Sequence, residues 1–177
     1  VGTLDACCYP NIRARLGIIE NFAASPTHPG HLYVTWENWD GEDFDVMFSQ
    51  LTDGGLTWSP PLRVNDPDPN DEFQPSVAAR PGGAVAVAFY DRRQTCPTAD
   101  PSISPGSRGR DNVCIDVTLQ ALKDSGAGVV RVGGNVRFTR FTWDPEQPVQ
   151  TIDGLDQMAC AAHETPCTTR AFIGDYF

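Results

Sequence analysis

Residues 49–58, SQLTDGGLTW, set an Asp-Gly-Gly turn between an alternating apolar run and a Thr-Trp pair. Asp-Gly supplies the positive φ angles that a tight hairpin demands, and Asp53 is placed to accept hydrogen bonds from nearby backbone amides. Trp58 carries a large apolar ring back across the hairpin. Turn chemistry accounts for each of these residues, so Asp53 is assigned no catalytic role. Fifteen prolines and sixteen glycines separate short β-branched and aromatic runs along the rest of the chain, which leaves little room for long helices. The chain is expected to be all-β.

With 40% hydrophobic and 20% charged residues in 177 positions, the composition fits neither disorder nor a membrane span. The formal charge of -10 argues against a nucleic-acid partner, because phosphate binding needs clustered Lys and Arg. Lys123 is the one lysine among thirteen basic residues, and the arginines are scattered, so no cationic helix or tail is available to hold an anionic membrane.

The six cysteines fall into three local groups, Cys7 with Cys8, Cys96 with Cys114, and Cys160 with Cys167, and none has paired C-x-x-C metal spacing. Disulfides are the better reading. Cys96 and Cys114 bracket a Pro-, Ser- and Gly-rich stretch that a cross-link would restrain, and Cys160 with Cys167 would close a smaller loop. This points to an oxidising, extracytoplasmic compartment, secreted or at the cell surface. Cys7 and Cys8 either pair outside this segment or form a strained vicinal bridge. The start at Val1, with neither an initiator Met nor a signal peptide, is what a mature or trimmed product would show.

The turn at Asp53 resembles the Asp-box of the sialidase and BNR (bacterial neuraminidase repeat) superfamily, whose pattern is Ser-x-Asp-x-Gly-x-Thr-Trp. Asp53, Gly55, Thr57 and Trp58 match it, and Leu51 stands where the family has serine. The resemblance implies a β-propeller of four-stranded antiparallel blades, with the Asp-box on the outer edge and away from the substrate pocket.

An internal repeat agrees with that expectation. Residues 9–15 parallel 74–80; a turn follows each, at 27–30 and 80–83, and then an alternating strand, 31–36 or 84–89, ending in an aromatic and an acid, Trp36-Glu37 and Tyr90-Asp91. Third strands are expected at 44–51 and 113–122, and fourth strands near 61–64 and 136–143. The second copy replaces TDGGLTW with a degraded KDSGAG turn at 123–128. The implied organisation is a first blade over residues 1–70, a second with a disulfide-bounded loop insertion over 71–150, and a linker with the first strand of a third blade over 151–177. Propellers close with about four to eight blades, so the segment is expected to be part of a longer propeller or to be completed by other chains.

In sialidases an arginine triad binds the substrate carboxylate, a Tyr-Glu pair supplies the nucleophile and an aspartate acts as acid/base. The family's order of acid, arginine, loop aspartate and Asp-box strand is imitated by Asp91, Arg92 and Asp111, which are the candidate catalytic residues. The first blade imitates the same order with Asp40 and Asp43, which favours a shared blade skeleton over an active site. The Phe/Tyr-Arg-Ile-Pro motif that usually carries the first arginine is missing. His28, His31 and His163 are too scattered for a metal motif. The acid-rich stretches 65–72 and 39–43 offer oxygen donors to calcium without EF-hand spacing, and no cofactor is assigned. The preferred function is a propeller that presents loops to a glycan or an extracellular protein. The alternatives are an exo-sialidase-type glycoside hydrolase whose other active-site residues lie outside this segment, and a subunit of an extracellular assembly.

Overall fold

Two four-stranded antiparallel sheets, each a simple meander, form the computed structural model, which describes Tyr9, residues 20–146, and the backbone of two short strands beyond. The first sheet runs β1 (Asn21–Ala24), β2 (Leu32–Trp39), β3 (Phe44–Leu51) and β4 (Leu62–Arg63). The second runs β5 (Glu72–Arg80), β6 (Ala84–Asp91), β7 (Asp116–Asp124) and β8 (Val129–Arg137). β9 (Thr151–Ile152) and β10 (Leu155–Asp156) pair with each other. The expected all-β class is therefore observed, and no described helix is long and apolar enough to cross a membrane. The expectations for Cys7, Cys8, Cys160, Cys167, His163 and residues 171–177 fall outside the described residues.

Period-two alternation sets the faces. On β2, Tyr33, Thr35 and Glu37 are buried between more exposed neighbours; on β6, Val85, Val87, Phe89 and Asp91 are buried. Tyr33, Val46 and Phe48 of the first sheet join Val77, Val85, Val87, Phe89 and Leu122 of the second in one core. Beyond it, Tyr9, Phe44, Phe73, Ile103, Val113 and Ile115 form a second apolar cluster with the sulfurs of Cys96 and Cys114.

The sheets meet by unlike faces. Val64 N donates to Val46 O at 2.8 Å, so Val46 turns its backbone toward β4 and its pair with Glu37 on β2 is not hydrogen-bonded. Tyr33, Thr35 and Glu37 thus share the non-bonded face. In the second sheet Asp124 N donates to Gly83 O at 2.8 Å, which by alternation makes Val85, Val87, Phe89 and Asp91 the bonded partners of β7. The chirality of L-residues ties bonded positions to one face of a meander of given strand order. The buried interface therefore joins the non-bonded face of the first sheet to the bonded face of the second, a head-to-tail stack.

One strand lies elsewhere than the repeat places it. The fourth strand of the second sheet is Val129–Arg137, starting directly after the 125–128 turn, and of residues 136–143 only Trp143 makes a further bridge, to Ile115. Gln120 accounts for the shift: it fills a β7–β8 bulge, donating from Nε2 to the carbonyls of Val132 and Gly133 and accepting from Arg131 and Asn135. The first strand of the first sheet is Asn21–Ala24; of residues 9–15 Tyr9 alone is described, and the rest of that expectation lies outside the described residues. The β5–β6 turn admits only glycine at Gly83, where φ is 74° and a Cβ would lie 2.3 Å from Asp124 O.

Candidate functional site

β3 connects two chemically different ends of the stack. The Asp53 turn leaves its C-terminal end, with Gly54 and Gly55 at φ 74° and 117° and Asp53 Oδ1 accepting from the amides of Leu56 and Thr57 at 3.0 Å each. Trp58 bridges Leu51 as a strand partner, but its indole remains 43% exposed. At the same end Tyr33 OH and His31 Nδ1 both bond Asp124 Oδ2, tying the two sheets together. Burial, followed by the Asp124 carboxylate, raises the Tyr33 hydroxyl to about 12. The ring centroids of His28 and His31 lie 5.1 Å apart with the planes tilted by 31°.

The opposite end gathers the β2–β3 loop, the 65–71 connection and the 92–115 loop, and holds most of the chemistry. Gln74-Pro75 breaks the β5–β6 register: proline has no amide to donate, and Gln74, at φ 45°, sends its own N–H across the interface to Glu37 Oε2 at 3.0 Å. Tyr9 OH donates to the same oxygen at 2.9 Å. Burial nevertheless pushes the Glu37 carboxyl up to about 7, against the lowering effect of those two donors.

Asp71 is the hub of this end. Its Oδ1 accepts from Phe44 N at 3.0 Å, and its Oδ2 accepts from Arg92 Nη1 at 2.7 Å and Asn112 Nδ2 at 2.9 Å. Both ion-pair side chains are fully buried. Desolvation dominates in both: it raises Asp71 despite Arg92 and pulls Arg92 down to about 10 despite Asp71. Asn65 adds a second tie, accepting from Val46 N and donating to Asp45 and Glu72. Burial first, and then neighbouring Asp91, raises Glu72 to about 10, against the lowering effect of Arg93, whose Nη2 lies 3.5 Å from Glu72 Oε1.

The three sequence candidates go to three different partners. Arg92 is held by Asp71, Asp91 by Arg93 Nε at 2.6 Å and Arg93 N at 2.9 Å, and exposed Asp111 accepts from Thr95 Oγ1. Asp91 is the last residue of β6 and Arg92 the first beyond it, and both are buried. Sequence reasoning passed over Asp71 and Glu72 as hubs and took Glu37 only as a strand-end acid. A signal for Glu37 was present, since it shares the parity of Tyr33 and Thr35 on a face that should be apolar.

Asp40, Asp43 and Asp45 are the one group of three metal-capable side chains found among the described residues, with ligand atoms within 4.8 Å of one another. Burial, then Asp45 and Asp40, raises Asp43 to about 6. Calcium takes six to eight oxygens. Asp40 Oδ1 already caps the amides of Glu42 and Asp43, and Asp45 is held by Arg63 and Asn65, so the cluster is largely committed to the fold. The carboxylates of 65–72 are committed too: Asp66 to Arg131 and Asn135, Asp68 to Asn70, and Asp71 and Glu72 as above.

The 92–115 loop is clamped at several points. Cys96 and Cys114 form a disulfide with a Cα separation of 5.3 Å. Ile103 is inserted into the second apolar cluster, and buried Asp144 accepts from Ser104 N, Ser104 Oγ and Ser107 Oγ. The bridge closes a loop with a sequence separation of 18, so replacing both cysteines by serine is expected to cost about 3 kcal/mol. Urea melts of the oxidised chain and the double variant check this. No model of a known protein family matches the chain, and neither does any curated protein sequence.

Proposed function

We propose that the chain is a sialidase-like β-propeller segment, extracytoplasmic, whose loop end opposite the Asp-box binds a glycan or an extracellular protein without hydrolysing it. The burial of Arg92 against Asp71 carries this reading. A carboxylate-gripping arginine must offer its guanidinium fork to the ligand, and this one is enclosed on the protein's own carboxylate. Arg108 and Arg110 are exposed at this end but are engaged, by the carbonyls of Ile103 and Asp100 and by Glu146, which leaves the carboxylates of Asp40, Glu42 and Asp111 as the exposed acidic charges there. They favour a neutral glycan or a basic protein surface over an anionic sialoside.

Three observations support the propeller. The sheets are four-stranded meanders, they stack head to tail, and the Asp53 turn sits at the end away from the candidate site. The Cys96–Cys114 bridge supports an oxidising location.

The immobilised full chain is expected to retain a neutral glycan or a basic protein in a saturable way, with retention weakened several-fold by D40N/E42Q. A ligand set in which nothing binds, or binding indifferent to D40N/E42Q, would count against the acidic loop end as the contact surface.

A further inference from the structure

Among the described residues nothing covers one face of the second sheet, and that face is apolar. Register places Ala86 and Ala88 of β6, Leu119 and Ala121 of β7, and Val132 and Val136 of β8 on it together. Val132 is 52% and Val136 61% exposed. At the other end of the stack the first sheet sets Phe22, Val34, Trp36 and Met47 on its outer face; Phe22 is 63% exposed and the other three are half-buried, while Asp45, Ser49 and Leu51 at the β4 side of the same face are buried. Extended apolar patches of this kind mark interaction surfaces.

The two open faces are of unlike type. The open face of the second sheet is its non-bonded face, the type that the first sheet buries; the open face of the first sheet is its bonded face, the type that the second sheet buries. We infer that the Ala86–Val132 face docks the Phe22–Trp36 face of a second copy of this chain, repeating between copies the contact already made within one. The association is heterologous, each copy using a different face, so it propagates or closes into a ring. Strands of eight to nine residues make a face about 28 Å long and about 15–19 Å wide. That is a projected area of about 420–530 Å² per partner, below the roughly 800 Å² of a standard interface and of the size of a weak, concentration-dependent one. The inference rests on the observed packing of the two sheets and not on the ligand-binding reading above.

Particle mass of the full chain and of two charge variants tests it. At about 10–100 μM the wild type is expected to have a mass of two or more times 19.3 kDa. Phe22→Glu and Val132→Glu are each expected to be monomeric alone, and mixing them is expected to give a one-to-one dimer, because each retains the face the other has lost. Both sites are exposed, far-UV circular dichroism reports whether the sheets are kept, and Val136→Glu serves as a second block of the same face. A monomeric wild type would overturn the inference. So would a Phe22→Glu chain that still self-associates, since that requires like faces to pair, or a folded mixture that stays monomeric.

Discussion

Arg92→Ala is expected to lower the free energy of unfolding by about 3–5 kcal/mol, because it leaves Asp71 ionised and enclosed without its counter-charge. The loss has a second component. Asp71 also receives Phe44 N and Asn112 Nδ2, so an Asp71 that shifts or takes up a proton loosens the start of β3 and the 92–115 loop together. Arg92→Lys should recover only part of the stability, since an ammonium restores the charge without the planar fork. Denaturant unfolding of the three chains reads the effect. A cost below about 1 kcal/mol, as for an exposed ion pair, would show that the pair does not hold this end of the molecule.

Stability is expected to fall as pH rises from about 5 to 8. Glu37 is raised to about 7 and Glu72 to about 10, both chiefly by burial, so the folded chain keeps protons that the unfolded chain has released. Groups of this kind stabilise fully below their unfolded pKa, and the contribution is lost as pH climbs through the folded one. For Glu37 the loss is on the order of 3 kcal/mol, complete just above pH 7; that of Glu72 has the same sign and continues into the alkaline range. On the acid side, Asp124 and Asp66 act in reverse. Burial opposes ionisation of Asp124, but Tyr33, the Gly126 amide and His31 outweigh it, and the Asn135 amide leads the lowering of Asp66. Their stabilisation is lost as pH falls below the usual aspartate range. Urea midpoints across this range should peak near pH 5, and Glu37→Gln, which still accepts from Tyr9 and Gln74, should flatten the slope between about 5 and 7. A midpoint that rises from pH 5 to 8 would contradict the assignment.

The first sheet was largely legible where pattern and turn chemistry agree. Phe44–Leu51 is an alternating run ended by Asp53-Gly54-Gly55, and its bounds match the expected ones. The Cys96–Cys114 bridge was legible from the composition of the loop it closes. Val129–Arg137 was not, because Gly133-Gly134 reads as a turn until Gln120 is seen filling the bulge they form. Asn21–Ala24 is too short for its alternation to compete with the longer run at 74–80. At the candidate site the order of acid, arginine and loop aspartate was visible, but order carries no direction. Asp71 reaches Phe44 and Arg92 across 27 and 21 residues of sequence, distances at which local patterning is silent.

The claim that the charged residues of the loop end hold the sheets together, and do not work on a substrate, is tested most directly by offering the full chain a fluorogenic α-sialoside between about pH 5 and 7. With Arg92 enclosed on Asp71, release of the fluorophore should stay at the buffer rate. Saturable turnover that Asp111→Asn abolishes would contradict the account and return Asp111 to a catalytic role.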